Sequence, residues 1–147
     1  MKYIGFDRED EAVKWVKEQI GIEGPTGFCR AISSVDANDN FLMAVVFSNF
    51  TKQNVDTNVA ISEGGRKLTP AGFKRIFNET FDYVFCRLGA ARVTALIRAK
   101  NTRSRSFVEQ LGYVYEGTMR KAFEDDDLII YGFLKTDFEE HRWYHGK

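Results

Sequence analysis

Two stretches of the chain carry side chains that could hold an anion or move a proton. The first, at positions 63–70, has the sequence EGGRKLTP and joins a glycine pair and two cations to a helix start. Glycines let a backbone approach a ligand closely, and the N–H groups at a helix start lie at the positive end of the helix dipole. Arg66 and Lys67 can add charge pairing to phosphate oxygens. The stretch predicts a polyanion site, and the alternative is an ordinary strand-to-helix turn with solvated cations.

The second stretch runs from Asn101 to Arg120, with the sequence NTRSRSFVEQLGYVYEGTMR. Glu116 can accept a proton, and Ser104 can donate or relay one. Considered one at a time, each residue is more simply explained as a helix cap, a surface hydroxyl or a solvated carboxylate. Their arrangement around a short helix therefore carries the prediction of a site.

A long amphipathic helix and a strand must position these side chains. Thr69 suits the N-cap and Pro70 the first helical position, and aromatic and aliphatic residues then recur at steps of three and four until about Leu88. The apolar run 91–99 predicts a strand. A short helix follows from Asn101 and ends at Gly112.

The flanking segments complete one domain over residues 1–147. We expect a helix over 9–20 capped by Asp7 and ended by Gly21, a turn at 24–27, and strands at 28–35, 41–50 and 54–62. An extended run from Tyr113, a turn at 125–127 and a strand at 128–134 follow, and the tail is polar with two aromatics. This order predicts an α+β domain with one mixed, mostly antiparallel sheet flanked by helices.

Composition narrows the function classes. Of the 147 residues, 44% are hydrophobic, which is too apolar for intrinsic disorder, and 21 Lys and Arg balance 21 Asp and Glu. Because the net charge is zero, a dedicated nucleic-acid binder is disfavoured. The N-terminus lacks the apolar run of a signal peptide and no stretch is long enough to span a membrane, so we expect a cytoplasmic protein.

The sequence predicts neither a disulfide nor a metal site. Cys29 and Cys86 are far apart in apolar surroundings and are expected to be buried thiols. His141 and His145 lie four positions apart with no third ligand nearby, so we expect no bound metal.

The second stretch resembles the GNAT N-acetyltransferases, in particular the branch of ribosomal-protein N-terminal acetyltransferases. The matching positions are Asn101, Ser104, Leu111-Gly112-Tyr113, Glu116-Gly117 and Arg120, followed by the run from Asp127 to Tyr131. The pyrophosphate loop of that family corresponds to Arg66-Lys67-Leu68-Thr69-Pro70-Ala71, with Thr69 where glycine is usual. The likeness covers roughly residues 54–134.

The resemblance implies a splayed pair formed by strands 54–62 and 91–99, which would expose backbone groups to acetyl-CoA. Backbone groups of Val59, Ala60 and Ile61 would bind the pantetheine arm and the thioester oxygen. Arg66, Lys67, Leu68, Thr69 and Ala71 would hold the pyrophosphate, and Asn101 would bind the pantetheine or order water. Glu116 is implied as the general base and Ser104 as the general acid, with Tyr113 and Tyr115 as fallback acids.

The implied function is acetyl transfer from acetyl-CoA to a primary amine by direct attack. The resemblance leaves open whether the acceptor is a protein N-terminus or a small molecule. It also leaves open whether the chain forms a homodimer. Two positions depart from the family pattern: Thr69 replaces the usual glycine, and Val108 stands where many relatives have a tyrosine. They favour the alternative of a degenerate domain that binds acyl-CoA or a protein partner. A basic cluster at Arg98, Lys100, Arg103 and Arg105 is the evidence for a nucleic-acid-associated protein, although a solvated face explains it more simply.

Overall fold

A computed structural model describes Met1, residues 3–21 and residues 29–146. Its seven strands form one sheet in the order β1-β2-β3-β4-β5-β7-β6. Their bounds are β1 Tyr3–Gly5, β2 Arg30–Val35, β3 Phe41–Ser48, β4 Asn54–Ile61, β5 Arg92–Arg98, β6 Val114–Met119 and β7 Leu128–Leu134. All adjacent strands are antiparallel except β4 and β5, which are parallel. The predicted α+β architecture with a mixed, mostly antiparallel sheet is confirmed.

Within the described residues, five α-helices flank the sheet. They are α1 Glu9–Ile20, α2 Glu63–Arg66, α3 Pro70–Asp82, α4 Thr102–Leu111 and α5 Lys135–Glu140, and a π-helical turn at Tyr83–Arg87 extends α3. The predicted turn at 24–27 lies outside the described residues. Strand β1 and helices α2 and α5 were not predicted, because each is too short to show a period in the sequence.

Helix α1 has the predicted bounds but not the predicted cap. Gly21 ends it in the left-handed conformation, with φ 66°, and donates its N–H to the Lys17 carbonyl at 3.1 Å. The N-cap is Arg8, without a side-chain cap bond, so the prediction of Asp7 as the cap is wrong. Three acidic residues at 9–11 instead place negative charge at the positive end of the helix dipole.

Helix α3 begins as its sequence predicts. The Thr69 hydroxyl accepts the Gly72 N–H at 3.2 Å, and Pro70 occupies the first helical position. Ile76, Phe77 and Phe81 are buried, and Phe77 and Phe81 pack into the main core.

The two sides of the sheet bury different residues. Alternate side chains of β2 and β3, such as Ile32 and Val45, join the main core beneath α3 and α4. Their neighbours Ala31 and Ala44 face the other way and pack against Val16 of α1. The molecule is therefore a sheet between two helical layers, and small residues let α1 lie close to the strands.

The cysteines are less buried than predicted. Cys29 is half-buried, and Cys86 is exposed because the π-helical turn places it on the outer side of the chain, with its Sγ 3.9 Å from an Asp82 carboxylate oxygen. Within the described residues, no group of His, Cys, Asp and Glu side chains is arranged to hold a metal ion. None of the described helices is long and apolar enough to cross a membrane.

Candidate functional site

The central feature is a fork between β4 and β5. The two strands pair from Asn54 opposite Arg92 to Thr57 opposite Ala95, and the ladder ends there. The rest of β4, up to Ile61, stays paired with β3 alone. The strands therefore diverge, which confirms the predicted splayed pair, and backbone groups of both arms face the space between them.

Two side chains fix the closed end of the fork. The Thr57 hydroxyl donates to the Thr94 carbonyl at 3.2 Å, and the Asn58 amide donates to the Leu96 carbonyl at 3.2 Å. Both side chains are buried, at 2% and 7% exposure. Because Asn58 bonds across the first unpaired position, the fork opens at a defined residue.

A cleft lies between the arms of the fork. Its walls come from β4, β5, the start of α4 and Ile20 at the end of α1. They are mainly apolar, with polar groups at one end from Arg98, Asn101 and Ser104. A mostly apolar cleft with a few polar groups has the character of a small-molecule site.

The three predicted β4 residues reach the cleft in different ways. Val59 and Ile61 are half-buried and line it. Ala60 is buried against α1, so only its backbone is available to a ligand in the cleft.

Asn101 and Ser104 are brought together at the start of α4. Asn101 is the N-cap, and its side-chain oxygen accepts the Ser104 N–H at 3.2 Å. Since the cap uses the amide oxygen, the group left to bind a ligand is the NH₂. Ser104 is half-buried at the cleft wall, and its role as a general acid stays a prediction.

The glycine pair before α3, Gly64 and Gly65, allows α2 to pack closely against β3. Gly65 is buried in α2, and a Cβ there would overlap the carbonyl oxygen of Leu42 in β3. A Cβ on Gly64 would lie 3.2 Å from the Leu42 side chain. We expected this pair to let a ligand approach the backbone, but the close approach that requires Gly65 is made by β3.

At the predicted anion site the cationic side chains are exposed, but few backbone N–H groups are available to a ligand. Arg66, Lys67, Thr69 and Ala71 are exposed, and Leu68 is half-buried. Thr69 accepts the N–H groups of Gly72 and Phe73, at 3.2 and 3.1 Å. Pro70 has no N–H, so the first turn of α3 can offer a ligand chiefly the N–H of Ala71.

Glu116 lies outside the residues that line the cleft. Its carboxylate oxygens contact the Arg92 guanidinium at 2.6 and 3.2 Å, beside the bulge in β6. Arg92 also donates to the Asn54 side chain at 3.1 Å. The carboxylate lies over Gly132, where a Cβ would overlap it. The structure does not bring Glu116 and Ser104 together, and the role of Glu116 as a base stays a prediction.

The two tyrosines expected as alternative general acids, Tyr113 and Tyr115, lie in different surroundings. Tyr113 is buried and stacked on Phe133, with ring centroids 4.8 Å apart, and burial raises the pKa of its phenol. Tyr115 is exposed on the edge strand β6, where its hydroxyl is 2.6 Å from that of Thr118.

Sequence reasoning missed the residues that shape the fork. Asn58 is a polar residue buried within a strand, and its place between Thr57 and Val59 was the available signal. Phe107 was predicted as a core position of α4 and also lines the cleft. Arg98, predicted as part of a basic cluster, lines the cleft too, and it donates to the Gly21 carbonyl at 2.7 Å.

No protein-family model and no curated protein sequence matches the chain. Among solved structures, the spermidine N-acetyltransferase from Vibrio cholerae in complex with CoA and spermine has a TM-score of 0.60 and 18% identity, covering 87% of this chain and 76% of that one. The dodecameric form of that enzyme in an intermediate state gives 0.61 and 18%, over 89% and 77%. Its spermidine/spermine N-acetyltransferase complex with manganese ions gives 0.60 and 18%, over 88% and 76%.

At this level of identity the similarity concerns the fold. The reported structures give no support to the ribosomal-protein branch, which stays a prediction. The mixed seven-stranded sheet flanked by helices matches those structures in fold. The chain therefore adopts the GNAT fold of the spermidine N-acetyltransferases.

Proposed function

We propose that the chain is an acetyl-CoA-dependent N-acetyltransferase that acts on a primary amine by direct attack. The single observation that carries this function is the fork, because its arms offer unpaired backbone groups to an extended ligand in a mainly apolar cleft. A structure of the same fold contains CoA and spermine, which favours a small-molecule amine as acceptor. A protein N-terminus is the alternative acceptor.

The pantetheine arm of acetyl-CoA would run along β4 between the arms. Backbone N–H groups near Val59, Ala60 and Ile61 would hydrogen-bond the arm and the thioester oxygen, stabilising charge that develops on it. The pyrophosphate would lie against Arg66, Lys67, Leu68, Thr69 and the Ala71 N–H, with Asn101 binding the pantetheine. Holding amine and thioester in one cleft supplies up to roughly 7–11 kcal/mol in favourable cases.

In the reaction, the amine nitrogen bonds to the thioester carbon and the carbon–sulfur bond breaks. The amine loses one proton, and the departing thiolate takes one. Ser104 is the proposed acid because it lines the cleft. Glu116, the proposed base, lies beside Arg92 and Asn54, at the end of the β4–β5 ladder away from the fork, and would accept the amine proton. Neither Cys29 nor Cys86 lines the cleft, which supports direct attack.

A second candidate is an acyl-CoA-binding domain without turnover. Its support is Thr69, whose side chain takes the Gly72 N–H that a glycine at that position would leave to a pyrophosphate. A homo-oligomer is also proposed, since a structure of this fold is dodecameric.

Calorimetric titration with acetyl-CoA and a CoA-release assay over a panel of amines test both candidates. The panel comprises spermidine, lysine, an aminoglycoside and a peptide with a free N-terminus. Saturable binding with amine-dependent CoA release is expected for the enzyme. Binding without release from any amine would favour the second candidate, and no binding of acetyl-CoA would overturn both.

A further inference from the structure

Three side chains join helix α4 to strand β7. The Tyr131 hydroxyl donates to a Glu109 carboxylate oxygen at 2.6 Å and accepts from Arg105 Nε at 3.1 Å. Tyr131 is fully buried, and burial raises the pKa of its phenol, so the hydroxyl stays protonated at neutral pH and keeps its proton for Glu109. Arg105, Tyr131 and Glu109 therefore form one hydrogen-bonded group, which we call the α4 pin.

Arg105 also ties α4 to strand β5. Its Nη1 donates to the carbonyl of Ala99, the residue that follows β5, at 3.1 Å. Strand β5 is one arm of the fork. Because a guanidinium is planar and presents its N–H groups in a fixed geometry, the two bonds of Arg105 hold α4 against β7 and the end of β5 at once.

The pin and the cleft residues lie on neighbouring faces of α4. Arg105 and Glu109 are four positions apart, so they share one face of the helix. Ser104 and Val108, each one position earlier, share the face that lines the cleft. Rotation of α4 about its axis would therefore move Ser104 relative to the cleft, and the pin opposes that rotation.

The pin supplies the directional attachment of α4. Among the described residues, no other side chain of α4 makes a hydrogen bond outside the helix. The ion pair of Arg103 with Glu63 of α2 is exposed and 3.9 Å long, and contacts of that kind contribute little. Apolar packing beneath the helix is non-directional, whereas hydrogen bonds have a preferred geometry. The pin is therefore the contact that sets the rotation of α4.

We propose that Arg105, Tyr131 and Glu109 are positioning residues for acetyl transfer, which hold Ser104 at the cleft. The inference rests on the proposed function, in which Ser104 is the general acid. None of the three pin residues lines the cleft, so they act through α4. A misplacement of about 1 Å can cost about 10²-fold in rate, so a small rotation of the helix has a large effect.

Tyr131→Phe tests the pin, because it keeps the buried ring and removes the shared hydroxyl. At saturating acetyl-CoA, kcat is expected to fall at least about tenfold, with the fold kept as judged by circular dichroism. Arg103→Lys, at an exposed arginine of the same helix, is the control and should leave kcat unchanged. A wild-type kcat in Tyr131→Phe would overturn the inference. Should that variant not fold, Arg105→Lys takes its place, since one ammonium group cannot replace both bonds of the guanidinium.

A double-variant cycle separates positioning from a general loss of structure. Ser104→Ala removes the group that the pin is proposed to position, so adding Tyr131→Phe to it should lower kcat little further. If the pin only stabilised the fold, the two losses would multiply, and that result would also overturn the inference.

A measurement without turnover separates this inference from the function beneath it. The Ser104 N–H donates to the Asn101 side chain at 3.2 Å, so its exchange with deuterium reports order at the start of α4. Tyr131→Phe should speed that exchange about fivefold, the effect of losing one hydrogen bond. Faster exchange in a protein that acetylates no amine would sink the proposed function and leave the pin. Acetyl transfer with both kcat and the exchange rate unchanged in Tyr131→Phe would sink the pin alone.

Discussion

At the residue scale, the proposed anion site before α3 would depend on a few exposed groups. Arg66 carries a full charge next to a helix start that has little to offer besides the Ala71 N–H. Arg66→Ala should therefore weaken acetyl-CoA binding about fivefold in calorimetry, the effect of losing one exposed charge-assisted contact. Arg75→Ala, an exposed arginine further along α3, is the matched control and should leave Kd unchanged. An equal Kd for Arg66→Ala and wild type would place the pyrophosphate elsewhere.

Glu116 is the residue whose role most needs a direct test. Glu116→Gln keeps its size and removes the ability to accept a proton, so kcat should fall about 10²-fold with the Kd for acetyl-CoA unchanged. Steady-state kinetics and calorimetry together measure the two effects.

The ion pair with Arg92 supplies the control for that experiment. Arg92→Gln breaks the same contact and leaves the Glu116 carboxylate in place, so its effect on kcat should be much smaller. Should the two variants lose activity equally, Glu116 acts through the ion pair and is a positioning residue.

At the element scale, α2 docks on β3 because Gly65 has no side chain. Gly65→Ala would force its Cβ against the Leu42 carbonyl oxygen, which is backbone and cannot turn aside. We expect a loss of about 1–3 kcal/mol in the free energy of unfolding, measured in urea.

Gly64→Ala is the matched control on the same helix. Its Cβ would lie 3.2 Å from the end of the Leu42 side chain, which can move, and 3.7 Å from the Ser62 hydroxyl, an ordinary contact. Alanine is also preferred to glycine in a helix by about 1 kcal/mol, so the net change should be near zero. A similar loss in both variants would mean that helix α2 itself, rather than the Leu42 contact, sets the effect.

The elements also show what the sequence could and could not predict. Helix α3 followed from Thr69 and Pro70, and the end of α4 from Gly112, because caps and terminators act through neighbouring residues. The reason for Gly65 lies in β3, more than twenty residues away, so no local pattern reveals it. The position of Glu116 depends on pairing of β6 with β7 and on a bulge, which sequence spacing does not determine.

At the scale of the whole molecule, the polar tail turns out to close the core. Helix α5 places Phe138 at 1% exposure, with its ring 5.6 Å from those of both Phe77 and Phe81. Phe138→Ala should reduce the free energy of unfolding by about 3–5 kcal/mol, because it removes a large ring from a packed cluster. Glu139→Ala, an exposed neighbour on the same helix, should change it by less than about 0.5 kcal/mol. Urea unfolding of both variants measures the difference, and a small loss for Phe138→Ala would show that α5 is only loosely attached.

The fork has a consequence for hydrogen exchange. Past Thr57, the amides of β4 that face β5 lack the strand partner that protects their neighbours. In the unliganded protein these amides should therefore exchange with solvent deuterium much faster than those in the paired half of the same strand. A ligand that lies along β4 and accepts their hydrogen bonds would slow the exchange, so the deuterium label reports occupancy of the cleft even where no product forms.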